Sequence, residues 1–425
     1  MRVLLSTIGS SGDVQPLLAL ALQVRDLGQE VRMCVPPDFR DWIEGLGIPV
    51  TPIGPELHQL TAGPAATLPS PERLRQLAEE TVGMQFEAIA KAAHGCDFIV
   101  AATALQIAAR SVAEVEGAGY VFAAYCPEVL PSPYHPPPPL PPIAGQPPTP
   151  PTADNRELWA RNADRFNNTF GRQLNSHRAA VGLLPVTDVS SHIFTDQPWL
   201  AADPVLGPWP DPADPAVFQS GAWILADERP LPPELERFLE AGDEPVYFGL
   251  GSMRAPGDVS QVIIHAAREL GRRVVLSRGW AGLSLLDGGP DCFGVEEVNQ
   301  QALFRRVAAA VHHGGAGTTT TAALAGAPQV VIPQTYDQQY WRRWVEELSI
   351  GAAHARGVPA VDSLAAALER ALQREVAERT TSTASRVRQD GATRAARRLI
   401  AEGGASPAPM SPRPPKGARP AAGPA

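Results

Sequence analysis

The chain has 425 residues, 44% hydrophobic and 19% charged, with a formal net charge of −9. That length predicts two or three domains whose cores need no disulfide or metal staples, and the composition excludes wholesale disorder. The acidic balance argues against a general nucleic-acid binder, which needs a basic excess to release phosphate counterions, but leaves room for a small anion held by backbone dipoles.

In chain order, the opening Met1-Arg2-Val3-Leu4-Leu5 turns polar at Ser6. It is too short for a signal-peptide core and suits a first strand over 3–8. A helix follows over 17–27, closed by Gly28, then a strand over 31–35, an amphipathic stretch over 71–93, and strands over 98–101 and 120–124. This alternation predicts a parallel sheet with helices on both faces. Residues 131–151 hold 12 prolines in 21 positions, ahead of a long helical pattern from about Asp154. Such a run cannot enter a sheet or a helix interior, so an extended surface loop is expected.

Around 201–222 the pattern stops at Asp203-Pro204, Gly207-Pro208 and Asp211-Pro212, which reads as a semi-rigid linker. Alternation then restarts, with strands over 246–250, 273–276, 307–312 and 329–332, helices over 259–270 and 316–325, and Ala/Arg/Glu-rich helices over about 365–402. Residues 404–425 carry 7 prolines and no apolar pattern, and are expected to be a disordered tail. Two α/β domains with a ligand cleft between them follow. Cys34, Cys96, Cys126 and Cys292 are scattered without a CxxC, so a reducing cytoplasm is the default. No apolar stretch approaches the roughly 18 residues needed to cross a bilayer.

Three strand-to-helix turns carry candidate chemistry. His312-His313-Gly314-Gly315-Ala316-Gly317-Thr318 follows a strand and opens a helix. Its glycines allow close backbone approach, and the helix start offers unpaired N–H groups and positive charge, a seat for phosphate or diphosphate. It is neither a Walker loop nor a dinucleotide fingerprint, and a plain turn with threonine caps has the same pattern. Two adjacent histidines do not readily share one tetrahedral metal ion, so no metal is expected. The turn Gly9-Ser10-Ser11-Gly12-Asp13-Val14-Gln15-Pro16 brings Asp13 to a helix start at the carboxyl end of strand one. There it can act as a general base or simply cap the helix. The turn Gln334-Thr335-Tyr336-Asp337-Gln338 offers a carboxylate and an amide suited to sugar hydroxyls, or again a cap. Trp341 and Trp344 read as core residues, Arg342 and Arg343 as solvated. Ser252 and Trp280 follow the first two strands of the second half.

Taken together, these segments resemble the GT-B-fold glycosyltransferases of family 1, above all the bacterial branch that glycosylates antibiotics of the glycopeptide (vancomycin) type. Sterol glucosyltransferases share much of the pattern. The likeness runs from Met1 to about Glu402 through MRVLLSTIGSSGDVQPLLALA, YCPEVLPSPYHPPPPLPP, FQSGAWILADERPLPPELERFLEAGDEPVYFGLGSM and EEVNQQALFRRVAAAVHHGGAGTTTTAALAGAPQVVIPQTYDQQYW. It implies an α/β architecture of two Rossmann-like domains facing each other across a cleft. Residues 1–203 would form an acceptor domain and 204–222 a linker. Residues 223–385 would form a nucleotide-sugar domain, 386–403 a helix crossing back to the first domain, and 404–425 the tail.

By motif, the resemblance places the diphosphate on His313, Gly315, Ala316, Gly317 and Thr318. It places the sugar on Asp337 and Gln338, the nucleotide near Ser252 and Trp280, and its base near Val298. Asp13 takes the place of the general base, with Ser10 and Gly12 in the same loop facing the cleft. Close relatives usually carry an arginine in that turn; Ser11 stands there instead, and the loop has no histidine. The implied activity is inverting transfer of a hexose or deoxyhexose from a dTDP- or UDP-sugar to a hydroxyl of a natural product. A monomer with no bound cofactor, metal, nucleic acid or membrane insertion is expected. A sterol or lipid glucosyltransferase and a catalytically degenerate accessory homologue are the alternatives.

Overall fold

The computed structural model describes residues 1–58, 70–103, 105–139, 152–211, 214, 216–251, 259–279, 282–285, 288–354 and 358–404. Ser252, Trp280, the later part of the proline-rich loop and the tail beyond Gly404 lie outside these.

The first sheet has seven strands, all parallel. They are β1 (Arg2–Ser6), β2 (Glu30–Val35), β3 (Val50–Pro52), β4 (Phe98–Ala102), β5 (Gly119–Ala124), β6 (Trp199–Leu200) and β7 (Phe218–Gln219), in the spatial order β3-β2-β1-β4-β5-β6-β7. Leu4, Ile99 and Phe122 face one buried layer, and Val3, Leu5, Val100 and Val121 the other. Burial on both faces is why these strands read as continuous apolar runs.

The second sheet has six parallel strands: β8 (Val246–Gly249), β9 (Val274–Ser277), β10 (Cys292–Val295), β11 (Ala309–His312), β12 (Gln329–Val331) and β13 (Gly351–Ala353), ordered β10-β9-β8-β11-β12-β13. In each sheet the chain winds outward one way, then returns to the centre and winds the other. The switch points lie between β1 and β4 and between β8 and β11, where open α/β sheets form crevices beyond their strand ends.

Two expectations change. The first helix, α1, spans Ser11–Asp26 and so begins six residues before the predicted start. Pro16 therefore sits inside it, and Gly12, on the exposed cleft side, receives no N–H from that position. The linker is not a free spacer: its Phe218–Gln219 strand pairs with Trp199–Leu200 at the sheet's open edge. Gln219 ties it down, its Nε2 donating to the carbonyls of Ala202 (2.9 Å) and Gly207 (2.8 Å) while its Oε1 accepts from Trp209 N (3.1 Å).

The last helix (Gly391–Gly404) packs on α1 of the first domain. Ala392, Ala395, Ala396 and Leu399 are buried in the layer that holds Val14, Leu17 and Leu18. Thr393 Oγ1 donates to Gln23 Oε1 at 2.6 Å. Only glycine fits at 391, where a methyl group would collide with the Gly221 and Ala222 backbone. Arg388 N donates to Asp203 Oδ2 at 2.9 Å, joining the helix approach to the end of the first domain.

Candidate active site

Asp13 is the third residue of α1, whose cap is Ser10. A carboxylate at that position lies back towards the cap residue's own N–H, half of a capping box, and the Ser10 backbone N–H is close enough to oppose the rise in the Asp13 pKa. Capping and catalysis are thus not alternatives: the helix start holds the side chain in place. A methyl group at position 9 would overlap the Asp13 carboxylate, so Gly9 is required. From just past the end of β5, Tyr125 donates its hydroxyl to the Asp13 carbonyl at 2.9 Å. Burial first, and the Asp337 charge second, push the Asp13 carboxyl up to about 7.

The second turn is organised by a histidine outside the expected ligand set. His312, at the end of β11, is fully buried. Gly314 N–H donates to its Nδ1 at 3.0 Å, which leaves the proton on Nε2, 2.9 Å from Gln329 Oε1. Burial and the neighbouring His313 keep it neutral, with its pKa lowered to about 3. This strut fixes Gly314 at φ +91°, a left-handed value natural to glycine. His313 then projects between Gly251 and Gly315, either of which would strike the imidazole if it carried a methyl group. Its Nδ1 is buried without a partner. Desolvation lowers its pKa to about 4, so it offers a hydrogen bond rather than a positive charge at neutral pH.

The helix that follows, α2 (Ala316–Ala325), has Gly315 at its cap position, with no side chain occupying its first N–H groups. The Thr319 and Thr320 hydroxyls bond back to the carbonyls of Gly315 (2.9 Å) and Ala316 (2.8 Å), so neither is a free donor. Gly317 is exposed and Thr318 half-buried at the helix start.

In the third turn, Asp337 stands at the cap position of α3 (Gln338–Glu347), and its Oδ2 accepts from Trp341 Nε1 at 2.9 Å. Burial raises its pKa. Gln338 is less available than the resemblance implies: its Oε1 accepts from Gln334 N (2.7 Å) and Thr335 N (3.0 Å), so its carbonyl braces its own loop. Tyr336, largely exposed at φ +53°, holds the turn in a strained conformation.

These turns converge. Helix α1 of the first domain contacts α2 of the second. The Gly314 position abuts Gln338, where an added methyl group would lie 3.2 Å from the Gln338 carbonyl. Asp337, next in sequence, is within electrostatic reach of Asp13. One crevice therefore holds the half-buried acid of the front domain, the helix start of the rear domain and a second acid between them.

Known proteins agree with this assembly. Two family models match: the glycosyltransferase family 28 N-terminal domain over residues 3–130, and the erythromycin biosynthesis protein CIII-like C-terminal domain over 262–409. Glycosyltransferase GtfE of Amycolatopsis orientalis is 52% identical over 404 residues, 94% of this chain and 97% of that one. The vancomycin aglycone glucosyltransferase of the same organism is 50% identical with the same coverage. The chain belongs to the vancomycin-type glycosyltransferases. Sterol 3-beta-glucosyltransferase UGT80B1 of Arabidopsis thaliana is more distant, 27% identical over 88% of this chain and 64% of its own length. Among solved structures, the glycotransferase of kitacinnamycin aligns at a TM-score of 0.71 with 20% identity, covering 95% of this chain and 98% of that one. Glycosyltransferase VinC in complex with dTDP aligns at 0.66 with 19% identity, covering 95% and 100%. Both share the two-domain GT-B fold.

Within this glycosyltransferase the remaining expected residues fall as follows. Ser10 is half-buried and Gly12 exposed in the turn that carries Asp13. Val298 is half-buried against the second domain's core, just before Asn299 caps the next helix. Arg343 is not simply solvated: it reaches across the cleft to the buried Glu128 at 3.3 Å and lies over the Tyr340 ring. Trp341 is core, as its spacing suggests, and packs against Gly207 while holding Asp337. His312, Tyr125 and Glu128 were missed because their roles depend on neighbours distant in sequence; the doubled histidine was the one available signal.

Ser111, His192 and Glu114 have the residue types of a hydrolase triad, with Ser111 Oγ 3.0 Å from His192 Nε2. Ser111 is fully buried and also bonded by Arg178 at 2.8 Å, which makes the group structural. Among the described residues no set of three or more His, Cys, Asp or Glu side chains is arranged to hold a metal ion, and no helix is long and apolar enough to cross a membrane.

Proposed function

We propose that this glycosyltransferase moves a hexose or deoxyhexose, with inversion, from a dTDP- or UDP-sugar to a hydroxyl of a glycopeptide-type aglycone. The carrying observation is the pairing of Asp13 and Asp337, half-buried acids from opposite domains, beside the start of α2, where no side chain caps the N–H groups. In this reading the acceptor hydroxyl gives its proton to Asp13 as its oxygen attacks the anomeric carbon from the face opposite the leaving group. The bond to the nucleoside diphosphate breaks, and the diphosphate's charge settles on the helix N–H groups, fixed dipoles that need no reorganisation. His313 hydrogen-bonds the phosphate through an imidazole that is neutral until the anion arrives, and Thr318 adds a hydroxyl. Asp337 accepts hydrogen bonds from sugar hydroxyls, and Gln338 contributes its amide nitrogen.

A base near neutrality suits the task, because a substantial fraction is ionised at neutral pH while it remains basic enough to take a proton. Base and donor seat stand on different domains, so closure of the cleft completes the site. Ser11 leaves the phosphate without an arginine partner from the first turn, and the helix start carries that load. We infer that the chain works as a monomer without a metal. The four buried cysteines, none of them in a disulfide, fit a reducing cytoplasm.

The test is incubation of the purified chain with vancomycin aglycone and either UDP-glucose or dTDP-glucose, read by mass spectrometry and by NMR of the new linkage. A single added hexose with inverted anomeric configuration supports the reading. A retained configuration, or donor binding without any transfer, refutes it.

A further inference from the structure

Outside the cleft, the first domain holds a cavity of about 410 Å³ at the β6–β7 edge of its sheet. This lies within the range of small-molecule pockets. Its walls include Leu130, Trp159, Phe194 and Trp209. Trp159 and Trp209 are locked by His135, whose ring lies edge-on to both at 6.1 and 5.9 Å, and Trp159 Nε1 donates to the His135 carbonyl at 2.9 Å. The aromatic surface is therefore built before any ligand arrives.

Two lining residues more than nine-tenths buried carry polar atoms with no partner: Ser190 Oγ, with the residue 8% exposed, and Trp209 Nε1, with the residue 7% exposed. An unpaired buried donor is costly, and a bound acceptor atom relieves that cost. The charges on the lining are all negative among the described residues, at Asp188, Asp196 and Asp214. Asp188 is engaged by the Ser191 N–H and hydroxyl, and Asp214 by Ala216 N, whereas Asp196 stands exposed at the rim. Aromatic walls, a hydrogen-bond donor at depth and an acid at the mouth select an aromatic ring carrying an amine and exclude an anion.

We propose that this cavity is a subsite for an amine-bearing aromatic group, and that it anchors a part of the acceptor remote from the attacked hydroxyl. The second clause rests on the function proposed above; the first does not. The link to the cleft is the chain itself. Tyr125 holds the Asp13 carbonyl and Leu130 forms the cavity wall, and five residues of backbone span at most about 18 Å. An acceptor of several rings can therefore reach both places.

Tyramine is the probe, with 3-(4-hydroxyphenyl)propionate as its anionic counterpart. Indole ¹H–¹⁵N spectra of the full chain are recorded, with the Trp209 signal assigned from Trp209→Phe. We expect tyramine to shift that signal saturably in the presence of excess UDP, and the anionic analogue to bind at least about tenfold more weakly. Ala163→Phe, which fills the cavity from its helical wall, should lower tyramine affinity by about tenfold or more while UDP affinity by calorimetry stays within about twofold. No shift at Trp209, displacement by UDP, or unchanged tyramine affinity in Ala163→Phe overturns the subsite. For the anchoring role, Ala163→Phe should raise KM for vancomycin aglycone with kcat preserved, and an unchanged KM overturns that clause. Should the chain transfer no sugar at all, tyramine binding still stands or falls by itself.

Discussion

Replacing Asp13 by Asn keeps the side chain's shape and an oxygen for the Ser10 N–H, but removes the base. General-base catalysis contributes about 10²–10⁴-fold, so kcat should fall on that scale while UDP or dTDP binding, made by the other domain, is retained. Stability moves the opposite way. The carboxyl is raised from 3.8 to about 7, and three units correspond to about 4 kcal/mol of differential free energy. Because the folded form holds its proton more tightly than the unfolded chain, wild type loses stability as pH climbs from near 3.8 towards 7. Above that the loss is complete. The Asn variant carries no such penalty, so its melting temperature should match wild type near pH 4, pull ahead through pH 5–7 and hold a constant lead above. In kinetics the wild-type acid limb should fall with an apparent pKa near 7 and vanish from the residual activity of the variant. The assays are nucleoside diphosphate release with acceptor present and calorimetric melting across that pH range. A variant with wild-type turnover would remove Asp13 as the base, and one whose stability lead shrinks as pH rises would refute its raised pKa.

Other consequences are equally concrete. His312→Leu should strand the buried Gly314 N–H, at a cost of about 1–3 kcal/mol, and weaken nucleoside diphosphate binding about tenfold or more. His312→Asn, whose Oδ1 can accept the same N–H, should recover most of it; equal losses in the two variants would refute the strut. Trp341→Phe keeps an aromatic core residue but takes the indole N–H from Asp337, and should raise donor KM several-fold with nucleoside diphosphate affinity little changed. Asp203→Ala should lower stability by about 1–3 kcal/mol in denaturant melts, because it frees Arg388 N and Val205 N together. Activity should survive exhaustive treatment with EDTA, and a loss restored by added divalent cation would overturn the metal-free reading.

Local rules made much of this chain legible. The amphipathic segment over 71–93 matches Pro71–Ala93, and the glycine-rich turn opens Ala316–Ala325 where strand and helix patterns meet. Apolar periodicity and turn chemistry act between near neighbours, so a single sequence displays them. The short edge strands Trp199–Leu200 and Phe218–Gln219 were not legible, because two residues carry no period and their pairing depends on an open edge built elsewhere.

The sequence by itself determined the two-domain α/β plan and nominated Asp13, His313 and Asp337, whose residue types and helix-start positions are local facts. Tertiary structure alone decided that acids 324 residues apart in the chain share one crevice, that burial there raises both, and that His312 rather than a ligand fixes the Gly314 turn. Desolvation and charge coupling depend on what surrounds a group in space, and no spacing along the chain encodes them.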